Sequence, residues 1–371
     1  LHGRYLVDKK GVCILSTGGT GGHVLPCTAL ATELNNVGWE VIIFTDTRGL
    51  QYVDKSSNEY SIEVVNISSE TASLRKRLIE LSHQLPLGAL RSAKLMFRKR
   101  PKFVLGFGGV STFPILFVSV LLRIPIFIQE QNAVLGRVNR FFQRFSTKVF
   151  CHFSNTLFLD SKISLNTGNP IRNKVLKKSN SQYLEPGPWP ITLLVLGGSQ
   201  GARLLSDALP KCIETLSKKT KERLTIFHQA RKDDIDRVLA AYRDMDLRAC
   251  VRPFFEDVER LMSESQIIIC RAGSNTLADI SIVGRPAILI PLKHAKDEHQ
   301  LRNAKMFAEE GGAIVVEESP SLVEDLSEKL SLVLKSPSKT RAMANKALKT
   351  GKPNASKNII KTIEILLGKN E

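Results

Sequence analysis

VCILSTGGTGGHVLPCTALATEL, residues 12–34, contains the transition that sets the fold. Val12 to Leu15 form a short apolar run, Gly18, Gly19, Gly21 and Gly22 interrupt it, and an apolar pattern of helical period follows from Leu25 to Leu34. The order is strand, turn, helix. Apolar segments at 41–44, 62–67, 103–105 and 126–128 then alternate with helix-like stretches, the signature of a parallel sheet covered on both faces. After an irregular connector at 182–190, marked by Pro186, Gly187, Pro188 and Pro190, the same grammar restarts. Residues 191–196 are a new apolar strand that runs into Gly197, Gly198, Ser199, Gln200 and Gly201, and 224–227, 267–269 and 287–290 read as its successors. Two doubly wound α/β units are expected in tandem. A closing segment at 357–367 carries Ile359, Ile360, Ile363, Leu366 and Leu367 at helical spacing, so it reads as an amphipathic helix packed on a neighbouring surface.

Bulk properties agree with two domains. The chain has 371 residues, 43% hydrophobic and 24% charged, with no long polar tract, which excludes a disordered class. Lys and Arg outnumber Asp and Glu by 53 to 36, so an anionic partner is expected. The six cysteines, Cys13, Cys27, Cys151, Cys212, Cys250 and Cys270, form no CxxC pair, which argues against a zinc site or a disulfide framework and for a reducing compartment. The opening LHGRYLVDKK has no apolar core of the kind a secretory signal needs. The longest apolar stretch, 113–128, is interrupted by Pro114, Arg123 and Pro125 and falls short of the roughly 20 residues of a spanning helix. A cytosolic or membrane-surface protein is expected.

Glycines at a strand-to-helix junction let a ligand approach the backbone, where the first helical N–H groups and the helix dipole favour an anion. Gly18 to Gly22 lacks the GxGxxG spacing of dinucleotide folds, and neither glycine turn completes a Walker loop. His23 follows the first turn and is a candidate base or substrate contact; the plain alternative is a loop-bonded histidine. Arg172, after the rigid Gly168-Asn169-Pro170 turn, suits bidentate phosphate contact, or a surface ion pair. Ser199 offers a hydroxyl to phosphate, or a helix cap. CRAGSNTLAD, residues 270–279, again follows an apolar strand and opens a helix with Gly273, Ser274, Asn275 and Thr276. The polar loop around Asp297, Glu298, His299 and Gln300 is placed to read sugar hydroxyls, or is solvated. Two Asp-x-Asp triplets, at 234–236 and 244–246, fall on a helical pattern, which does not suit a metal-nucleotide site. Between Leu74 and Arg100, eight basic residues face the single acid Glu80, interleaved with leucines, Met96 and Phe97; that suits an anionic membrane interface, or ordinary solvated helices. With two Trp, five Tyr and no recognition motif, nucleic acid is not expected.

GGTGGHVLP (18–26), GFGG (106–109), QEQN (129–132), GNPIR (168–172), GGSQGAR (197–203) and CRAGSNTLAD (270–279), taken together and in order, closely resemble the MurG family. The resemblance implies a GT-B fold, two Rossmann-like domains facing across a cleft, and inverting transfer of N-acetylglucosamine from UDP-GlcNAc to the C4 hydroxyl of the muramyl sugar in lipid I, giving lipid II. It implies an acceptor domain at 1–166, facing the cytoplasmic side of the membrane, a donor domain at 167–352, and a C-terminal helix at 353–371 that packs back on the first domain. No cofactor or metal is implied. By motif, Thr20, Gly21, Gly22 and Asn132 would meet the donor sugar or the reaction centre, with His23 activating the acceptor. Arg172, Ser199, Ser274, Asn275 and Thr276 would hold the diphosphate, Asp279 the ribose, Phe255 the uracil and Gln300 the GlcNAc hydroxyls. The family commonly has Glu at the place of Asp279, His at Gln129 and Tyr at Val110, so the last two positions supply no general base here. A transferase acting on another lipid acceptor and a non-catalytic nucleotide-sugar binder are the competing readings.

Overall fold

The computed structural model describes residues 10–67, 74–179, 181–198 and 202–368. They form two compact units, one running to Arg172 and resumed at Pro353, the other Asn173–Lys352. The division falls later than the sequence boundary at 166/167 because the turn after the last strand stays tied to the first sheet: Gly168 donates its N–H to the Cys151 carbonyl, and Gln129 donates Nε2–H to the Gly168 carbonyl.

The first unit is built on β1 (Gly11–Ser16), β2 (Trp39–Thr45), β3 (Ser61–Val64), β4 (Phe103–Gly106), β5 (Ile126–Glu130), β6 (Lys148–Cys151) and β7 (Ser164–Asn166). These make one parallel sheet in the order β3-β2-β1-β4-β5-β6-β7. Its helices are α1 (Gly21–Asn36), α2 (Leu74–Lys99), α3 (Phe113–Leu121) and α4 (Arg137–Phe142). The second unit has β8 (Ile191–Leu196), β9 (Leu224–Gln229), β10 (Arg248–Arg252), β11 (Ile267–Cys270), β12 (Ala287–Leu289) and β13 (Ala313–Val315), ordered β10-β9-β8-β11-β12-β13 and parallel throughout. Around it lie α5 (Asn173–Leu176), α6 (Arg203–Glu214), α7 (Lys218–Lys221), α8 (Ile235–Asp244), α9 (Val258–Glu264), α10 (Ser274–Val283), α11 (His299–Glu309), α12 (Leu322–Lys335) and α13 (Pro337–Thr350). The last helix, α14 (Ala355–Gly368), belongs to the first unit.

The near-continuous apolar strands follow from burial on both faces. Side chains alternate across the first sheet: Cys13, Leu15, Val41, Ile43, Phe103 and Leu105 pack with α1 and α14, whereas Ile14, Ile42, Phe44, Val104, Ile126 and Ile128 pack with α2, α3 and α4. In the second unit Ile191, Leu193 and Val195 of β8 meet α6, α8 and α12. Helix α14 is held to the first core by buried Ile359, Ile360 and Ile363 and by its Glu364, which accepts from Lys10 Nζ at 2.6 Å and Trp39 Nε1 at 3.1 Å.

The position of the central strands matters for function. In each sheet the chain winds outward in one direction from β1 or β8 and then in the other from β4 or β11. Open α/β sheets take ligands in the crevice at the carboxyl ends of such a switch pair. Those ends are the segments after β1 and β4 in the first unit, and after β8 and β11 in the second.

Because Ile363 is 1% exposed in the first core, Ile363→Ala should destabilise the first unit by about 2–5 kcal/mol, read as a lower denaturant midpoint at unchanged slope.

Candidate active site

At the end of β1, Thr17 N–H donates to the Phe44 carbonyl at 2.9 Å and the Ser16 carbonyl accepts from Phe107 N–H at 2.8 Å, so the glycine turn leaves the sheet fixed to both neighbouring strands. Asp46, 1% exposed, accepts from Gly19 N–H at 3.1 Å and Gly49 N–H at 2.7 Å. The turn then packs directly onto the loop after β4. A Cβ added at Gly18 would lie 1.6 Å from Ser111 Oγ, and one at Gly109 would lie 3.1 Å from the Gly18 carbonyl oxygen. Gly108 and Gly109 also hold φ of 96° and 95°, which L side chains avoid. Both glycine runs are therefore conditions of one backbone-to-backbone contact.

Thr20 is the N-cap of α1, whose first turn carries Gly21, Gly22 and His23 and no acid. His23 Nδ1 lies 3.1 Å from the Gly18 carbonyl oxygen. A carbonyl only accepts, so Nδ1 carries the proton and Nε2 is the basic nitrogen of the neutral ring. Nε2 faces the β4 loop, 3.4 Å from where a Cβ on Gly108 would be; Asn139 Nδ2 approaches the same point to 3.3 Å. Asn139 in turn donates to Glu130 Oε2 at 2.9 Å.

Glu130, at the end of β5 and 2% exposed, organises this side of the site. Its Oε1 accepts from Asn132 N–H at 3.0 Å and Asn132 Nδ2 at 3.2 Å, and its Oε2 also accepts from Gly136 N–H at 2.9 Å. A carboxylate with four donors holds a loop; it is poorly suited to take a substrate proton. The structure thus joins Thr20, Gly21, Gly22 and His23 to Asn132 through Gly108, Asn139 and Glu130. Within the motif QEQN, Asn132 is fixed by Glu130, two positions before it. Arg172 is half-buried at the end of this unit.

In the second unit α10 begins at Ser274 behind the N-cap Gly273, directly at the end of β11, and its first turn contains no acid. Ser274 and Asp279 are buried, Asn275 and Thr276 half-buried. The turn is braced from two sides: Asn303 of α11 donates to the Ala272 carbonyl at 3.1 Å, and Arg271 donates to the Ile290 carbonyl at 3.0 Å and pairs with Glu318. Gln300 rides on the same α11, its Oε1 accepting from Leu292 N–H at 3.1 Å. Ser199 lies outside the described residues. Burial pulls His228 on β9 down to about 4, so its imidazole is neutral at pH 7, bonded through Nδ1 to Tyr242 Oη at 2.8 Å.

Phe255 is 4% exposed with its ring edge-on to Phe227 at 6.1 Å, so it belongs to the core; the neighbouring Phe254 is 65% exposed and is the aromatic face this loop offers. The loop is tied to β9 by Gln229 Nε2, which donates to the Pro253 carbonyl at 3.2 Å.

Residues 13–151 match the glycosyltransferase family 28 N-terminal domain and residues 192–361 match its C-terminal domain. The chain is 37% identical to the UDP-N-acetylglucosamine--N-acetylmuramyl-(pentapeptide) pyrophosphoryl-undecaprenol N-acetylglucosamine transferase of Bartonella tribocorum, over 97% of this chain and 95% of that protein. It is also 37% identical to the protein of that name from Brucella anthropi, over 94% and 93%. The crystal structure of Acinetobacter baumannii MurG superposes with a TM-score of 0.77 at 28% identity, covering 95% of this chain and 99% of that one. The chain belongs to the MurG family, within glycosyltransferase family 28. Family membership makes it a glycosyltransferase of the GT-B class, with two parallel-sheet α/β domains of seven and six strands.

Because four donors converge on Glu130, Glu130→Ala should lower kcat by more than tenfold through release of the 131–139 loop, while UDP affinity stays within about twofold. Steady-state kinetics and calorimetric UDP titration check the two halves separately.

Proposed function

We propose that this chain transfers N-acetylglucosamine from UDP-GlcNAc to the C4 hydroxyl of the muramyl sugar in lipid I, with inversion, releasing UDP and lipid II. The observation that carries the reading is the His23 tautomer. Its Nδ1–H is spent on the Gly18 carbonyl, so Nε2 is the proton acceptor at the switch point of the first sheet. Nε2 takes the C4 hydroxyl proton as that oxygen attacks the anomeric carbon from the face opposite UDP. The bond from the anomeric carbon to the diphosphate oxygen breaks, and its electron pair leaves with UDP.

The departing charge needs stabilisation that is in place beforehand. The acid-free N-terminus of α10 with Ser274, Asn275 and Thr276 supplies it, together with Arg172 and Ser199. Asp279 takes the ribose, Gln300 the GlcNAc hydroxyls through its amide N–H groups, and Phe254 covers the uracil in place of Phe255. Thr20, Gly21, Gly22 and Asn132 line the reaction centre.

A lipid-linked acceptor requires work at a membrane, and among the described residues no helix is long and apolar enough to cross one. Helix α2 supports a surface contact instead. Leu87, Leu90 and Phe97 are exposed beside the exposed Arg91, Lys94 and Arg98, and α3, packed against α2, adds exposed Phe117 and Leu121. The side chains of Arg75, Lys76 and Arg77 lie outside those described. We place this face on the cytoplasmic leaflet, where UDP-GlcNAc is available and free thiols persist.

Purified chain with labelled UDP-GlcNAc and lipid I should yield labelled lipid II, and His23→Ala should lower kcat by on the order of a hundredfold or more with little change in UDP-GlcNAc affinity. Donor binding without labelled lipid product would refute the reaction; equal losses of kcat and donor affinity would remove His23 as the base.

A further inference from the structure

The positive charge is concentrated in a second place that the transfer reaction does not use. Residues 329–363 contain nine Lys or Arg and no Asp or Glu. Within that run α13 carries Lys339, Arg341, Lys346 and Lys349, all exposed. Arg341 is paired with Glu185, whereas Lys339, Lys346 and Lys349 have no ion-pair partner among the described residues. Glu309 and Glu310, at the end of α11 next to Gly311, which meets Lys346, pair with none of the three among the described residues.

The same helix borders an apolar groove of about 280 Å³, floored by Ile314, Val333 and Met343, edged by Leu332 and Ala342, with Lys339 and Lys346 at its rim. Leu332 and Leu348 remain 43% and 39% exposed. A soluble anion would have no use for the groove. A nucleic acid would look for aromatic platforms, and α13 has none. An anionic phospholipid matches both halves, its phosphate meeting the ammonium groups and its glycerol and first methylenes the groove.

We propose that α13 is a membrane-contact face of the second unit, seating anionic phospholipid on Lys339, Lys346 and Lys349 with the acyl-glycerol region in the groove beside Leu332 and Met343. The proposal rests on the reading that the acceptor is carried by a membrane, and it adds a contact separate from α2.

The full chain is tested on vesicles of equimolar phosphatidylglycerol and phosphatidylcholine, with pure phosphatidylcholine as the control. Lys339→Glu/Lys346→Glu/Lys349→Glu should reduce co-sedimentation with the anionic vesicles by roughly tenfold or more. It should leave transfer to a short-chain, water-soluble acceptor unchanged. In a Cys250→Ser background, an environment-sensitive fluorophore on Ala342→Cys should shift to the blue with anionic vesicles and not with the control. Unchanged sedimentation of the triple variant, or a probe that still reports water when the chain is vesicle-bound, overturns the proposal. An Arg91→Glu/Lys94→Glu variant that loses all vesicle binding while α13 is intact would also assign lipid contact to α2 alone. Failure of the wild type to transfer to the soluble acceptor, with both vesicle results as expected, would instead strike the reaction and leave α13 standing.

Discussion

The contact between Gly18 and the loop after β4 is the constraint on which the first unit's chemistry depends. Ser111 occupies the space where any Cβ on Gly18 would stand, and Gly109 comes within van der Waals contact of the Gly18 carbonyl only because it has no side chain of its own. That carbonyl is also the acceptor for His23 Nδ1. The approach of the two loops therefore sets the tautomer of the imidazole as well as its position over Gly108. Asp46 fixes the glycine turn, and Glu130 fixes the loop after β5 whose Asn139 approaches Gly108, through hydrogen bonds to backbone N–H groups that hold geometry at little entropic cost.

The second unit repeats the architecture with a different emphasis. Its switch pair presents the N-terminus of a ten-residue helix, α10, instead of an imidazole. The bracing comes from α11 through Asn303 and from the ion pair of Arg271 with Glu318. A helix N-terminus offers fixed partial positive charge that does not reorganise as a diphosphate departs, which is what leaving-group stabilisation requires. One unit thus presents an imidazole and the other a helix N-terminus, and the same βα grammar produces both.

Much of this was legible in the sequence because parallel strands buried on both faces are apolar along their whole length. Strand β8 is found at the residues its apolar run marks, 191–196. The strands that escaped notice are mostly at sheet edges: β7, SLN, β10, RACVR, and β13, AIV, are short or polar where one side lacks a neighbour. Likewise the run at 62–67 outlasts its strand, since Val65 makes one more bond to the Thr45 carbonyl before the chain leaves the sheet. In the site, glycines and His23 announced themselves by position. The function of Glu130 did not, because an acid inside a motif looks the same in sequence whether it faces substrate or four protein donors. Nor does a Phe-Phe pair reveal which ring the strand end turns inward.

Gly18 must lack a side chain for space alone, since its backbone is not in the left-handed region. The most direct test is the kcat of Gly18→Ala beside that of Gly18→Ala/Ser111→Gly, with folding followed by circular dichroism. Gly18→Ala should fold and lose at least about tenfold in kcat, and the added Ser111→Gly should restore a large part of that rate. A Gly18→Ala protein with wild-type kcat, or one whose loss is untouched by Ser111→Gly, would show that the space taken by Ser111 is not what requires glycine at position 18.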